Sequence, residues 1–163
     1  MAPTYRLSLP HVIVEHFTET SSFSAAFNTF APDMADPELH EKPNVCSHFV
    51  VDRDGTVYQL VPVTIICRHT VGLNYTAIGI EHVGFSDQQV LSNRRQMHGS
   101  LALTWWLRCR FRIPIGNVIG HNESLGSRFH REDVPRLRSQ THSDFSRPGM
   151  QVYRQRLSRL RCT

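Results

Sequence analysis

Short apolar runs separated by polar, turn-rich segments make up the 163-residue chain. Short runs of apolar or alternating residues bounded by turn residues are typical of strands. Four segments carry this pattern: residues 11–17, 46–62, 77–84 and 116–121. In residues 77–84 the alternation places Ile78, Ile80 and His82 on one face of a strand and Glu81 on the other.

The segment 46–62 predicts a β-hairpin. Two β-rich runs flank the dipeptide Asp54-Gly55, and Asp-Gly between such runs is the strongest short-range hairpin signal. Helical periodicity is confined to other parts of the chain.

One long helix is predicted over residues 87–112, with Asp87 as its N-cap and Pro114 beyond its end. Its apolar positions recur at helical spacing: Val90, Met97, Leu101, Leu103, Trp105 and Leu107. An amphipathic helix is predicted over residues 149–160, and one helical turn is expected near residues 23–30 within an irregular loop.

The mixture of strands and helices, without repeats or linkers, predicts a single α/β (α+β) domain over residues 1–163. This length suits one hydrophobic core. No apolar stretch approaches the roughly 18 residues of a membrane span, so none is expected. The N-terminal residues do not show the pattern of a signal peptide.

The net charge of +4 is unevenly distributed. Of the 18 basic residues, 17 are arginine, and 14 of these lie from Arg94 onward, where only four acidic residues occur. This basic C-terminal half of the sequence is compatible with solvated helix faces. It is also compatible with binding to nucleic acid, an anionic polymer or an anionic membrane surface. We do not expect nucleic acid as a partner, because no binding motif or set of interleaved surface aromatics is evident.

The four cysteines form no C-x-x-C metal motif. Cys46 and Cys67 each lie in or beside an apolar run. We therefore expect two free buried thiols there rather than a disulfide.

Several of the ten histidines stand where strands end. His16 and His121 each close an apolar run, and the pair His142 and Asp144 precedes the last helix. Catalytic zinc takes three imidazole or carboxylate ligands and keeps a position for water. Glu81, an acid within an apolar strand, is a candidate general base or a partner of one of the arginines.

Five ordered segments resemble one family. They are VIVEHFT (12–18), SHFVVDRDGTVYQLVP (47–62), RHTVGLN (68–74), AIGIEHVG (77–84) and VIGHNE (118–123). In this order they are similar to segments of the zinc-dependent N-acetylmuramoyl-L-alanine amidases, which are related to peptidoglycan recognition proteins and phage lysozyme amidases. The resemblance implies the amidase type 2 fold, with a central mixed β-sheet flanked by helices.

The resemblance also implies Zn²⁺ as cofactor and peptidoglycan or a muropeptide as substrate. The bond cleaved would be the amide between N-acetylmuramoyl and L-alanine. Carried over by position, His16 and His121 match two zinc ligands and Glu81 matches the catalytic glutamate. His69 and Asn74 match substrate-binding positions.

His48 matches a further histidine of the family pattern. We include it among the substrate-binding candidates, with a structural role as the alternative.

The third zinc ligand is where the chain departs from the family pattern. We interpret residues 124–140 as an inserted loop, so that Asp144 matches the ligand carboxylate. His142 would then replace the family's lysine, which stabilises the oxyanion and protonates the leaving amine. In one alternative, His142 is the metal ligand and Asp144 is the hydrogen-bonding partner of His142. In the other, His130 is the ligand.

The sequence leaves two classes of function open. The first is a zinc hydrolase, and the second is a zinc-free domain of the same fold that binds muropeptide without cleaving it. We expect a monomer that acts on the cell wall, after secretion or release by a phage. The arginines would meet an anionic wall polymer or the carboxylates of the substrate.

Overall fold

A five-stranded mixed sheet forms the centre of the molecule. The computed structural model describes residues 5–7, 9–36, 40 and 42–162. The strands are β1 (Val12–Phe17), β2 (Phe49–Val51), β3 (Val57–Gln59), β4 (Ala77–His82) and β5 (Val118–Gly120). Their order is β3-β2-β4-β1-β5. Strand β1 is parallel to β4 and β5, β2 is parallel to β4, and only β3 pairs in the antiparallel sense.

In the described part of the chain, four α-helices accompany the sheet. They are α1 (Phe23–Phe30), α2 (Asp87–Ser92), α3 (Arg94–Arg110) and α4 (Arg147–Leu157). Short 3₁₀-helices occupy Ile115–Asn117, His121–Gly126 and Pro135–Leu137. No helix of the described residues has both the length and the apolar character that crossing a lipid bilayer requires.

The two faces of the sheet carry different side chains, because successive residues of a strand point to opposite sides. On one face Ile13, Ile78 and Ile80 join the main core with residues of α2, α3 and α4. On the other face Val12 and Val14 belong to a smaller apolar cluster. The predicted alternation of β4 is therefore confirmed, and Glu81 lies on the face away from these helices.

The predicted hairpin is confirmed as β2 and β3. Its turn contains Gly55 at a φ of +93°, a conformation that glycine adopts without steric cost. The turn packs tightly on α3, because a Cβ at Gly99 would lie 2.2 Å from the carbonyl oxygen of Gly55.

The prediction of one continuous helix over residues 87–112 is wrong. Asn93 separates α2 from α3 with an extended backbone, and its Oδ1 accepts hydrogen bonds from the backbone N–H groups of Arg95 and Gln96. The N-cap of α2 is Ser86, whose hydroxyl accepts from Gln89 N, and not Asp87. Hydrophobic periodicity does not reveal such a break, because apolar positions continue in phase on both sides of it.

The buried face of α3 is also more polar than its periodicity predicts. Leu101, Leu103 and Trp105 are only partly buried against the core, whereas Ser100 and Thr104 are fully buried. These two hydroxyls belong to a hydrogen-bonded chain on the helix face of the sheet.

The chain of hydrogen bonds begins at Glu15. Thr104 donates to Glu15 Oε1 at 2.9 Å, and Tyr153 OH lies 2.8 Å from Thr104 Oγ1 and 2.6 Å from Ser100 Oγ. Burial raises the pKa of Glu15 to about 8, although the bonds from Thr104 and Tyr153 oppose it. The carboxyl is therefore neutral at neutral pH.

The expectation of free thiols at Cys46 and Cys67 is wrong. They form a disulfide with a Cα–Cα distance of 5.6 Å, and Cys109 pairs with Cys162 at 5.4 Å. The backbone brings the first pair together, because Cys46 N donates to Arg68 O at 2.9 Å. Spacing along the chain could not reveal either pair, since the partners are 21 and 53 residues apart.

Replacing Asn93 with alanine tests the break between α2 and α3. The variant loses the side-chain oxygen that caps α3, so we expect the free energy of unfolding to fall by about 1 kcal/mol. Urea denaturation measures this change, with Gln88→Ala on the exposed face of α2 as the control. Unchanged stability of the Asn93→Ala protein would contradict the cap and favour a continuous helix.

Candidate active site

The carboxyl ends of β1, β4 and β5 converge on one edge of the sheet. His16 in β1 is the direct neighbour of Glu81 in the β4 register. His121 follows β5 immediately. Asp144 lies just before α4, where Asn122 N donates to its backbone oxygen at 2.8 Å. Parallel strands therefore carry polar side chains to one place, as in other open α/β sheets.

Three of the predicted residues form one compact group. His16 Nδ1 lies 3.1 Å from Asp144 Oδ2 and 3.2 Å from His121 Nδ1. His121 Nδ1 lies 3.7 Å from Asp144 Oδ1. One potential ligand atom from each side chain lies within 4.8 Å of the others. The side chains of His16, His121 and Asp144 are only 3%, 7% and 13% exposed.

The electrostatics of this group favour a cation between its members. Burial, and after it the nearby His16, lower the pKa of His121 to about 3. For His16, burial also lowers the pKa, but the hydrogen bond and charge of Asp144, with the charge of Glu81, outweigh it and raise the net value. Two imidazole nitrogens at 3.2 Å need a proton or a metal ion between them.

The donor set fits a divalent metal ion. Two imidazoles and one carboxylate leave a fourth position for water or substrate, which is the usual arrangement of catalytic zinc. His121 Nε2 is buried without a hydrogen-bond partner among the described residues. The residues present could therefore hold Zn²⁺ through His16, His121 and Asp144.

Glu81 lies beside this group as an acid without a strong partner. Its Oε2 is buried and accepts no hydrogen bond from the described part of the chain. Burial raises its pKa to about 7, against the opposing effect of His16. The alternative of an arginine partner finds no support, since no ion pair of the described residues joins Glu81 to an arginine.

His142 and His130, the two alternatives for the third ligand, differ in position. His142 is exposed at the cleft, and its ring lies against that of His121 with centroids 4.8 Å apart. His130 instead covers Gly72, where a Cβ would lie 2.4 Å from its Nε2. It is not among the residues that line the cleft.

His69 reaches the group from the loop before β4. Its Nδ1 lies 3.3 Å from His16 Nε2 and 2.9 Å from Thr70 Oγ1. Asn74 shapes this loop, because its Oδ1 accepts hydrogen bonds from the backbone N–H groups of His69 and Thr70. Both His69 and Asn74 line a small recess beside the main cleft.

His48 supports the structure instead of facing the cleft. It is fully buried, and its Nδ1 accepts a hydrogen bond from Gly79 N at 3.0 Å while its Nε2 donates to Ile65 O at 3.0 Å. The substrate-binding interpretation of His48 is therefore corrected to its structural alternative, because neither ring nitrogen is available to a ligand.

A cleft of about 630 Å³ opens in front of the three-residue group. One wall is formed by α1 and the chain that follows it, including Phe30, Met34 and Asn44. The sequence does not indicate this wall, because an irregular loop with one helical turn carries no pattern that shows where it packs.

A pair of imidazoles and a carboxylate, with a buried acid beside them, is typical of mononuclear metallohydrolases. A family model described as N-acetylmuramoyl-L-alanine amidase matches residues 6–144. The chain belongs to this family. The family and fold expected from the five sequence segments are thereby confirmed.

Solved structures show the same fold. N-acetylmuramoyl-L-alanine amidase LysC from Clostridium intestinale is 24% identical, with a TM-score of 0.57 over 75% of this chain and 77% of its own. An AmpD derivative is 21% identical, with a TM-score of 0.59 over 90% and 86%. The AmiD amidase from E. coli, solved with a muropeptide substrate, is 21% identical, with a TM-score of 0.57 over 83% and 55%. No curated protein matches the chain significantly.

Gly79→Ala tests how closely His69 is held against the sheet. A Cβ at Gly79 would lie 2.6 Å from His69 Cγ, so the ring must move. We expect the free energy of unfolding to fall by about 1–3 kcal/mol in denaturant titrations. Gly116→Ala is the control, because its Cβ would meet nothing within 4 Å. Equal stability of the two variants would contradict the placement of His69.

Proposed function

We propose that the protein is a zinc-dependent amidase that cleaves the bond between N-acetylmuramoyl and L-alanine in peptidoglycan or muropeptides. The observation that carries this proposal is the convergence of His16, His121 and Asp144 beside Glu81, whose buried Oε2 accepts no hydrogen bond from the described residues. Membership of the amidase family supports the choice of bond. AmiD, a protein of similar fold, was solved with anhydro-N-acetylmuramic acid-L-Ala-D-γ-Glu-L-Lys, which supports a muropeptide as substrate.

Asp144 is the proposed third ligand. Its two carboxylate oxygens lie 3.1 Å from His16 Nδ1 and 3.7 Å from His121 Nδ1. Although burial raises its pKa, the hydrogen bond and charge of His16 lower the net value, so Asp144 is ionised and available as a ligand. The position of His130 over Gly72 argues against that alternative.

A zinc ion in this site would polarise the lactyl carbonyl and make the attacking water more acidic. Glu81 would accept the proton of that water. A carboxyl with a pKa of about 7 suits this task, because a general base works best with a pKa near the working pH. The same carboxyl, once protonated, can donate to the nitrogen of L-alanine as the amide bond breaks.

His142 is the second proposed catalytic residue. Its exposed ring stands at the cleft next to His121, where it can donate a hydrogen bond to the developing oxyanion or a proton to the leaving nitrogen. His69 and Asn74 would position the substrate from the neighbouring recess.

Glu81→Gln tests the proposed base. The amide side chain keeps the shape of the site but cannot accept a proton, so we expect hydrolysis of muropeptide to fall by about 100-fold or more, with zinc content and fold unchanged. Release of L-alanine N-termini measures the rate, and Glu132→Gln, outside the cleft, is the matched control. Turnover like that of the wild type would remove Glu81 from the mechanism.

Asp144→Asn tests the ligand set. We expect the affinity for Zn²⁺ to fall by more than about 100-fold, since loss of an outer-sphere partner alone costs 10–100-fold. Competition with a chromophoric chelator measures this affinity, and His130→Ala should bind zinc as the wild type does. Zinc retained by Asp144→Asn and lost by His142→Ala would instead support three histidine ligands.

A further inference from the structure

The ends of helices α3 and α4 meet on a surface at the end of the molecule opposite the cleft. Helix α3 begins after the carboxyl end of β4 and ends before β5, so it runs back to the amino edge of the parallel strands. Helix α4 starts next to Asp144 and also runs back, where Arg154 Nη1 donates to Val118 O at the start of β5. The Cys109–Cys162 disulfide joins the two chain segments at that end.

Positive charge is concentrated where these helices end. Five arginines, here called the basic end, lie around the disulfide: Arg108, Arg110, Arg112, Arg159 and Arg161. All except Arg108 are exposed. In the ion pairs of the described residues, none of the five has a carboxylate partner.

The basic end carries more positive charge than is needed to complement the dipoles of α3 and α4. One or two cations in the last turn suffice to complement the dipole of a helix. Arg112, Arg159 and Arg161 lie beyond the last residues of α3 and α4. The four acids of this half of the sequence lie within residues 123–144. Glu123 pairs with Arg154, Asp144 lies in the cleft, and no ion pair of the described residues joins any of the four to the basic end.

Apolar side chains accompany these charges. Trp106 is 51% exposed and lies one helical turn before Arg110 on the same face of α3. Leu160 is 38% exposed between Arg159 and Arg161. The backbone there is held in place, because Trp105 Nε1 donates to Arg161 O at 3.0 Å. An exposed tryptophan among the arginines thus distinguishes this surface from one that only contacts solvent.

We propose that the basic end docks on an anionic phospholipid bilayer. Arginines near such a surface are attracted by its negative potential, and tryptophan is enriched at the boundary between headgroups and acyl chains. A polyanion such as a wall polymer or nucleic acid would use the arginines but would leave Leu160 exposed to water. The combination of charge and apolar tips therefore favours a lipid surface.

The docking would also orient the enzyme. With the basic end on the membrane, the cleft at the opposite edge of the sheet faces away from the lipid, toward the cell wall. This consequence rests on the proposed amidase function, whereas the binding itself does not.

Co-sedimentation with vesicles tests the proposal without using catalysis. We expect the full chain to bind vesicles of phosphatidylcholine with about 30% phosphatidylglycerol, and not pure phosphatidylcholine. Binding should weaken between about 0.1 M and about 1 M salt, because the screening length falls from roughly 10 Å to roughly 3 Å. Replacing Arg110, Arg112, Arg159 and Arg161 with glutamine should weaken binding by about 100-fold or more, at about fivefold per charge.

A matched variant controls for net charge. Arg53, Arg94, Arg95 and Arg136 are exposed elsewhere, and their replacement with glutamine removes the same charge but should leave vesicle binding unchanged. Both variants should cleave soluble muropeptide as the wild type does. Equal loss in the two variants would overturn the basic end as the docking surface.

Tryptophan fluorescence separates a lipid partner from a polyanion. In a Trp105→Phe background, Trp106 is the remaining tryptophan, and its emission should shift to the blue with anionic vesicles but not with a soluble polyphosphate. Trp106→Ala should weaken vesicle binding. Binding to polyphosphate or DNA without binding to vesicles, or vesicle binding without a shift, would contradict the proposal.

Discussion

The parallel pairing of β1 between β4 and β5 is the constraint on which the rest of the structure depends. It sets His16 beside Glu81 and brings the end of β5, with His121, to the same edge of the sheet. A shift of one residue in this register would turn His16 toward the helices and Glu15 toward the cleft, because side chains alternate along a strand. The buried Val and Ile residues on the two faces make such a shift costly.

Each face of β1 and β4 then has its own polar chemistry. On the helix face, Glu15 is neutral and bound to hydroxyls, and His82 donates from Nδ1 to the backbone oxygen of His16 at 2.7 Å. On the cleft face, His16 and His121 share close contacts with Asp144. Buried polar groups are costly unless they are partnered. Among the described residues, Glu15 Oε2 on the helix face and Glu81 Oε2 and His121 Nε2 on the cleft face lack a hydrogen-bond partner. Only Glu81 and His121 also line the open cleft, which supports the proposal that this face holds a metal ion and a substrate.

The sequence predicted those parts of the molecule that depend on local pattern. The strands, the Asp54-Gly55 hairpin and the helical character of residues 87–110 and of α4 follow from periodicity and turn chemistry. The ordered family segments identified His16, Glu81 and His121, and the interpretation of residues 124–140 as an inserted loop added Asp144. The sequence did not predict features that depend on packing between distant segments. The disulfides, the burial of His48 and the cleft wall formed by α1 are of this kind. The break at Asn93 was missed because one capping residue leaves the hydrophobic period intact.

The central claim is that distant side chains meet around one metal ion. Anomalous diffraction at the zinc absorption edge, from crystals grown with zinc, tests it most directly. The account predicts a single strong peak about 2.0–2.2 Å from a nitrogen of His16, a nitrogen of His121 and an oxygen of Asp144. A peak coordinated by His142 or His130 in place of Asp144, or zinc bound only elsewhere on the protein, would contradict it.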